Sequence, residues 1–173
     1  MNFTAIDVET ANKDLGSICQ IGLIQFMRGV VATEWCVLLD PKSPFSDNNI
    51  EIHGITPEMV KGAPTFKQAS KYLYKLLKGQ TVASHTHFDR VATSKAAKAA
   101  NINAPDCTWI DTCKIARVQW PKLKSHSLKA LCEYLGFEFK HHNALEDARA
   151  CAHILKCACK ESGESPDSWG WRL

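Results

Sequence analysis

Apolar and polar positions change period along this chain. Phe3-Thr4-Ala5-Ile6 is a short apolar run that continues into Asp7-Val8-Glu9-Thr10, where charge enters at every second position. The alternation predicts a strand over Phe3–Glu9 with both carboxylates on one face. Ile18 to Phe26 is apolar with a glycine inside it, and Val30 to Leu39 is rich in β-branched and aromatic residues. Arg28-Gly29 between them reads as a hairpin turn, so the chain opens on three antiparallel strands. Asp40-Pro41 ends the third, and a polar loop is expected to Asn49.

Beyond that loop the period lengthens. Thr56-Pro57-Glu58 reads as a helix start, with Thr as cap and Pro at the first helical position. Thr65 and Gln68 form a capping box for a second helix, whose apolar face is Phe66, Ala69, Leu73, Leu76 and Leu77 and which Gly79 closes. Lys71, Lys75 and Lys78 fall on its other side, as a solvated face would. Thr81–Ser84 and Thr108–Ile110 read as short strands. Helices are expected from Phe88 to Ala99 or Ala100, from a Thr112 cap to before Pro121, and from Ser127 to Gly136. The last helix is capped by Asn143, with Leu145, Ala148, Ala152 and Leu155 on its apolar side. Three antiparallel strands followed by alternating strands and helices predict an α/β fold, a mixed sheet flanked by helices.

Composition narrows this to one ordinary globular domain: 173 residues, 45% hydrophobic and 23% charged. No internal repeat, low-complexity run or long linker divides it. Residues 1–161 are expected to form the domain and residues 162–173 a short tail, in which Trp169 and Trp171 dock on the body. A net charge of +3 permits a nucleic-acid partner without arguing for one. The N-terminus lacks the basic and apolar regions of a secretory signal, and no stretch has the apolar length to span a bilayer. The 8 cysteines, with no Cys-x-x-Cys pair, then read as reduced thiols of a cytoplasmic protein. His153, Cys157 and Cys159 are the one ligand-like grouping among them. Cys159 lies on another helical face from the other two, so they read as ordinary thiols.

The chemistry-bearing residues are acidic. Two carboxylates on one face at the end of a buried strand repel each other and resist low dielectric. A hard divalent cation with oxygen ligands, Mg²⁺ or Mn²⁺, would make them compatible. Alone, Asp7 and Glu9 also read as a solvated strand end. Asp89 and Asp147 each fall in the first turn of a helix, where the macrodipole favours the charged form. Each alone also reads as an ordinary helix-start charge, and His142 as a loop histidine like His141.

In order and local sequence these residues resemble the DEDDh family of 3′→5′ exonucleases, which includes the proofreading subunit of the bacterial replicative polymerase and ribonuclease T. The resemblance covers nearly the whole chain. It rests on Ile6-Asp7-Val8-Glu9-Thr10, on His53-Gly54-Ile55-Thr56 with Gly62-Ala63-Pro64-Thr65-Phe66, on Phe88-Asp89-Arg90, and on His142-Asn143-Ala144-Leu145-Glu146-Asp147-Ala148. It implies a ribonuclease-H-like sheet on which Asp7, Glu9, Asp89 and Asp147 hold two Mg²⁺, with Mn²⁺ as substitute. It also implies His142 as general base and a 5′-mononucleotide as product. Thr10 and Ala11 are expected to line the pocket for the terminal nucleotide, and His53 to touch its sugar or base. Where the family usually has His-Asn before the second aspartate, this chain has Ser84-His85, so His85 and the nearby His87 are candidates to alter how sugar or phosphate is held. Phe88 is expected in the core rather than as a stacking platform. Lys122 and Lys124, with Lys129, are candidates for tracking phosphates, though they also fit a solvated basic loop.

The expected activity is metal-dependent release of 5′-mononucleotides from single-stranded DNA, and from RNA, at 3′ ends. Alternatives are an oligoribonuclease or RNA 3′-end trimming enzyme, a proofreading subunit with a polymerase or repair partner in DNA replication or repair, and a non-catalytic nucleic-acid-binding module. Retention of all five motif residues argues against the last, because binding alone would not need His142.

Overall fold

In a computed structural model, which describes residues 1–169, the first strands are β1 (Phe3–Thr10), β2 (Ile18–Met27) and β3 (Val30–Leu38). They pair antiparallel in succession, Asp7 opposite Gly22 and Ile24 opposite Glu34. Arg28 and Gly29 both have positive φ, 53° and 84°, the backbone that a tight two-residue hairpin requires. β4 (Thr81–Ser84) runs parallel to β1, and β5 (Thr108–Asp111) parallel to β4, giving a five-stranded sheet in the order β3-β2-β1-β4-β5.

Helices cover both faces. Ile6, Val8, Ile21, Leu23 and Val82 pack against α2 (Phe66–Leu77) and α3 (Phe88–Ala99). Phe3, Ala5, Ile24, Phe26 and Ala83 face the other way, onto α4 (Thr112–Gln119), α5 (Leu128–Leu135) and α6 (Ala144–Ser162). The period-2 alternation of β1 thus sorts its side chains between two cores. Among the described residues no helix is long and apolar enough to cross a membrane. The cysteines are free thiols, and His153 Nε2 lies 3.4 Å from Cys157 Sγ while Cys159 is buried elsewhere in the core.

Two helix starts differ from expectation. The first helix begins not at Thr56 but at Ser46, whose side chain accepts the Asn49 N–H, and α1 spans Asp47–His53. Thr56 instead opens a turn closed by Met59 N–H to Thr56 O at 3.1 Å, with Pro57 in the second turn position that suits its fixed φ. The cap of α4 is Asp111 rather than Thr112: its carboxylate accepts the N–H groups of Cys113 and Lys114. Trp169, in a 3₁₀ turn over Pro166–Trp169, is buried in the α6-side core as expected; Trp171 lies outside the described residues.

Candidate active site

The site forms at the C-terminal ends of β1 and β4. Asp7 and Glu9 continue the face of β1 that carries Phe3 and Ala5, towards α6. Asp89 arrives from the opposite layer as the second residue of α3, buried, with Oδ1 accepting the Val8 N–H at 2.9 Å. That bond fixes the start of α3 to β1 and leaves the second carboxylate oxygen for the site.

Asp147 comes from the first turn of α6, whose N-terminus is held closely. Asn143 caps it by accepting the Glu146 N–H at 3.2 Å, and Gln20 of β2 accepts the Ala144 N–H at 3.1 Å. Gly22 lets the helix approach, since a Cβ there would lie 2.1 Å from the carbonyl carbon of Ala144. Because Gly22 pairs with Asp7, the same contact brings Asp147 over the acidic end of β1. Oxygen atoms of Asp7, Glu9 and Asp147 all lie within 4.8 Å of one another. The four acids, with His85, Phe88, His141 and His142, line one pocket of about 290 Å³.

This crowding leaves negative charge uncompensated. Burial, reinforced by Asp89, Asp147 and Glu9, pushes the Asp7 carboxyl well above the usual range. Burial and then Asp147 raise Glu9 to about 7. Asp89 rises to about 8, mainly through burial, despite two backbone hydrogen bonds that oppose it. Asp147 is raised by burial and drawn down by His141, whose Nδ1 lies 2.8 Å from Asp147 Oδ1. Among the described residues no lysine or arginine pairs with any of the four. Hard oxygen donors sharing excess charge in one open pocket suit divalent cations such as Mg²⁺ or Mn²⁺.

His142 stands at the rim. Its backbone N–H donates to Asp147 Oδ2 at 2.9 Å, and its φ of +64° turns the ring onto His141, with centroids 3.9 Å apart. Burial and the neighbouring His141 hold its pKa below the ordinary value, so the imidazole is neutral at neutral pH.

The residues expected to bind substrate are dispersed around this pocket. The Thr10 carbonyl accepts from Asn49 Nδ2 and His53 Nε2, and both backbone groups of Ala11 bond within the protein, to Ser17 and Ser46. His53 accepts the Ile55 N–H at Nδ1, so its second nitrogen carries the proton given to Thr10. His85 lines the pocket but has both nitrogens engaged, Nε2 donating to the His126 carbonyl and Nδ1 meeting the Thr112 hydroxyl, each at 3.0 Å. Phe88 lines the pocket while packing on the α3-side core. Lys122 and Lys124 are exposed in the turn between α4 and α5 and do not line the pocket, to which α5 contributes Leu128. Gln20 and Gly22 were not anticipated, and His141, read from the sequence as a loop histidine, lies on Asp147; the glycine inside a strand was the available sign of a close backbone approach.

A family model described as Exonuclease matches residues 4–155. The chain is 27% identical over 166 residues to a DNA polymerase III PolC-type protein of Halalkalibacterium halodurans, covering 94% of this chain and 12% of that protein. With the PolC-type protein of Thermotoga maritima it shares 30% identity over 158 residues, 88% of this chain and 11% of that one. The chain therefore spans only about an eighth of these relatives, 12% and 11%. Among solved structures, Exonuclease X in complex with 5′ overhanging duplex DNA superposes with a TM-score of 0.81 at 23% identity, covering 97% of both chains. The nuclease domain of 3′hExo, a DEDDh family member, bound to rAMP gives 0.78 at 19%, covering 94% of this chain and 92% of that one. At these identities the likeness is one of fold.

Proposed function

We propose that the chain, which belongs to the exonuclease family, is a DnaQ-like 3′→5′ exonuclease that releases 5′-mononucleotides from single-stranded 3′ ends, DNA foremost, at the pocket between β1, α3 and α6. The observation that carries the reading is the convergence of Asp7, Glu9 and Asp147 within 4.8 Å, with Asp89 in the same pocket and His142 at its rim.

Asp7, Glu9 and Asp147, with the second oxygen of Asp89, would hold two divalent cations. Cations in such a site supply acidification of the attacking water and neutralisation of charge on the phosphate. The remaining work falls to the chain. His142, neutral and stacked on His141, takes the proton from the water. The water oxygen bonds to phosphorus in line with the 3′ oxygen of the penultimate nucleotide; that P–O bond breaks, and the departing oxygen takes a proton from solvent. His141 stays on Asp147 and holds the stack that aims His142. His85 acts by fixing the turn between α4 and α5 through the His126 carbonyl rather than by gripping the sugar.

The PolC-type relatives favour DNA and support a second reading, association with a polymerase in proofreading. The test is cleavage of equal-sequence DNA and RNA, labelled at either end, with Mg²⁺ and with chelator. Label released at once from the 3′ end, DNA faster than RNA and only with metal, is the expected result. Release from the 5′ end, or cleavage that persists in chelator, would overturn it.

A further inference from the structure

A furrow leaves the active pocket along α3. It consists of three hollows of about 200, 400 and 630 Å³. Thr86 walls both the first hollow and the catalytic pocket. Arg90 and Trp109 are shared by the first and second hollows, and Ser94 and Ala104 by the second and third. Neighbouring hollows thus share wall residues and follow one another along α3.

Its chemistry is of one kind. Arg90, Lys95 and Lys98 are exposed along α3, and the helix has no acidic residue besides Asp89, which is buried in the catalytic pocket. Asp111, the acid of the first hollow, has its carboxylate engaged by the N–H groups of Thr86, Cys113 and Lys114. The indole of Trp109, on the edge strand β5, lies half-buried where the first two hollows meet. Cations spaced along a groove with an aromatic plane in its wall match a polymer of phosphates bearing flat bases.

We propose that this furrow is the track for the single strand upstream of the terminal nucleotide, with Trp109 stacking a base and Arg90 and Lys98 holding phosphates. The proposal rests on the 3′→5′ reading of the adjoining pocket. Arg90 to Lys98 is about 12 Å along the helix, the length of about three to four stacked nucleotides. The furrow carries both cations and an aromatic side chain, whereas the turn bearing Lys122 and Lys124 lines neither these hollows nor the catalytic pocket.

Two measurements test it. In chelator, DNA octanucleotides carrying 5-iodouracil at the third or fourth position from the 3′ end are photocrosslinked and the adduct is mapped. With Mg²⁺, kcat/KM is measured on an octanucleotide and a dinucleotide for wild type, Trp109→Ala and Arg90→Gln/Lys98→Gln; the last pair is exposed and tolerates change if Trp109→Ala folds poorly. The expected adduct is on Trp109 or α3. Each variant should lose about tenfold more on the octanucleotide than on the dinucleotide, the scale of one base–aromatic stack. The Arg90/Lys98 pair should also flatten the salt dependence of binding by about 1.4 in logarithmic slope. An adduct on the turn carrying Lys122 and Lys124, or equal losses on both substrates, would overturn the track. Failure of wild type to cleave either substrate with Mg²⁺ would overturn the exonuclease reading instead, and the adduct would still decide the furrow.

Discussion

Holding Asp7, Glu9, Asp89 and Asp147 together works against the fold whenever they ionise. Their carboxyls titrate near 4 when the chain is unfolded (about 3.9 for Asp and 4.3 for Glu), but folding raises all four, Glu9 to about 7 and Asp89 to about 8. Between those values the unfolded chain has released protons that the folded one retains, so stability falls as pH rises. In chelator the thermal midpoint should drop from about pH 4 to about pH 8, the window set by Glu9 and Asp89. Asp7→Asn should flatten that slope, and Mg²⁺ should raise the midpoint more at the alkaline end. A midpoint that is level or rising across the window would contradict uncompensated charge. His142→Ala should lower kcat by about 10²–10⁴, the usual worth of a general base, and the wild-type rate should fall on the acid side of neutrality as the ring protonates. An unchanged rate would transfer the role to His141. The paired acids of β1 were legible because strand side chains repeat every second residue. The contact of His141 with Asp147 was not, since the φ of +64° at His142 beside it is not announced by composition.

At the scale of elements, the site depends on how closely α6 lies on β2. Gly22 is the point of nearest approach, and an added methyl would meet the Ala144 backbone rather than a side chain that could swing away. Gly22→Ala should therefore destabilise the protein by about 1–3 kcal/mol or more, and should shift Asp147 away from Asp7 and Glu9. Displacement on the order of 1 Å typically costs about 10²-fold in rate. Urea unfolding and kcat measured on the same variant check both; a normal rate would mean that the helix start is not what sets Asp147. The strands, hairpin and four of the helix starts were readable from period, capping box and turn residues. α1 escaped because Asp47-Asn48-Asn49 are poor helix formers and only the Ser46 side chain starts the turn. The Thr56-Pro57 signal misled because Pro suits both the first turn of a helix and the second position of a β-turn. In this chain the β-turn forms, closed by the Met59 N–H on the Thr56 carbonyl.

In the whole molecule the sheet separates two cores, and the α6-side core is completed from far along the chain. Trp169 is 3% exposed and packs with the cluster that includes Ile154, Leu155 and Ala158, while Asp167 hydrogen-bonds Thr81 at the start of β4. We propose that residues 1–161 form the nuclease domain and that the segment after them, as far as Trp169, belongs to its packing rather than hanging free. The contact joins the start of β4 to the end of α6, well away from the acidic pocket. Trp169→Ala should then cost about 3–5 kcal/mol, as for other buried aromatic truncations, and Trp169→Phe should recover part of that. Since Trp169 touches none of the four acids, kcat well below the lowered melting temperature should stay at the wild-type value. A loss below about 0.5 kcal/mol, the range of surface substitutions, would make the segment an appendage. A rate that falls in step with stability would instead tie this core to the positioning of α6, the helix that carries both Trp169's packing partners and Asp147.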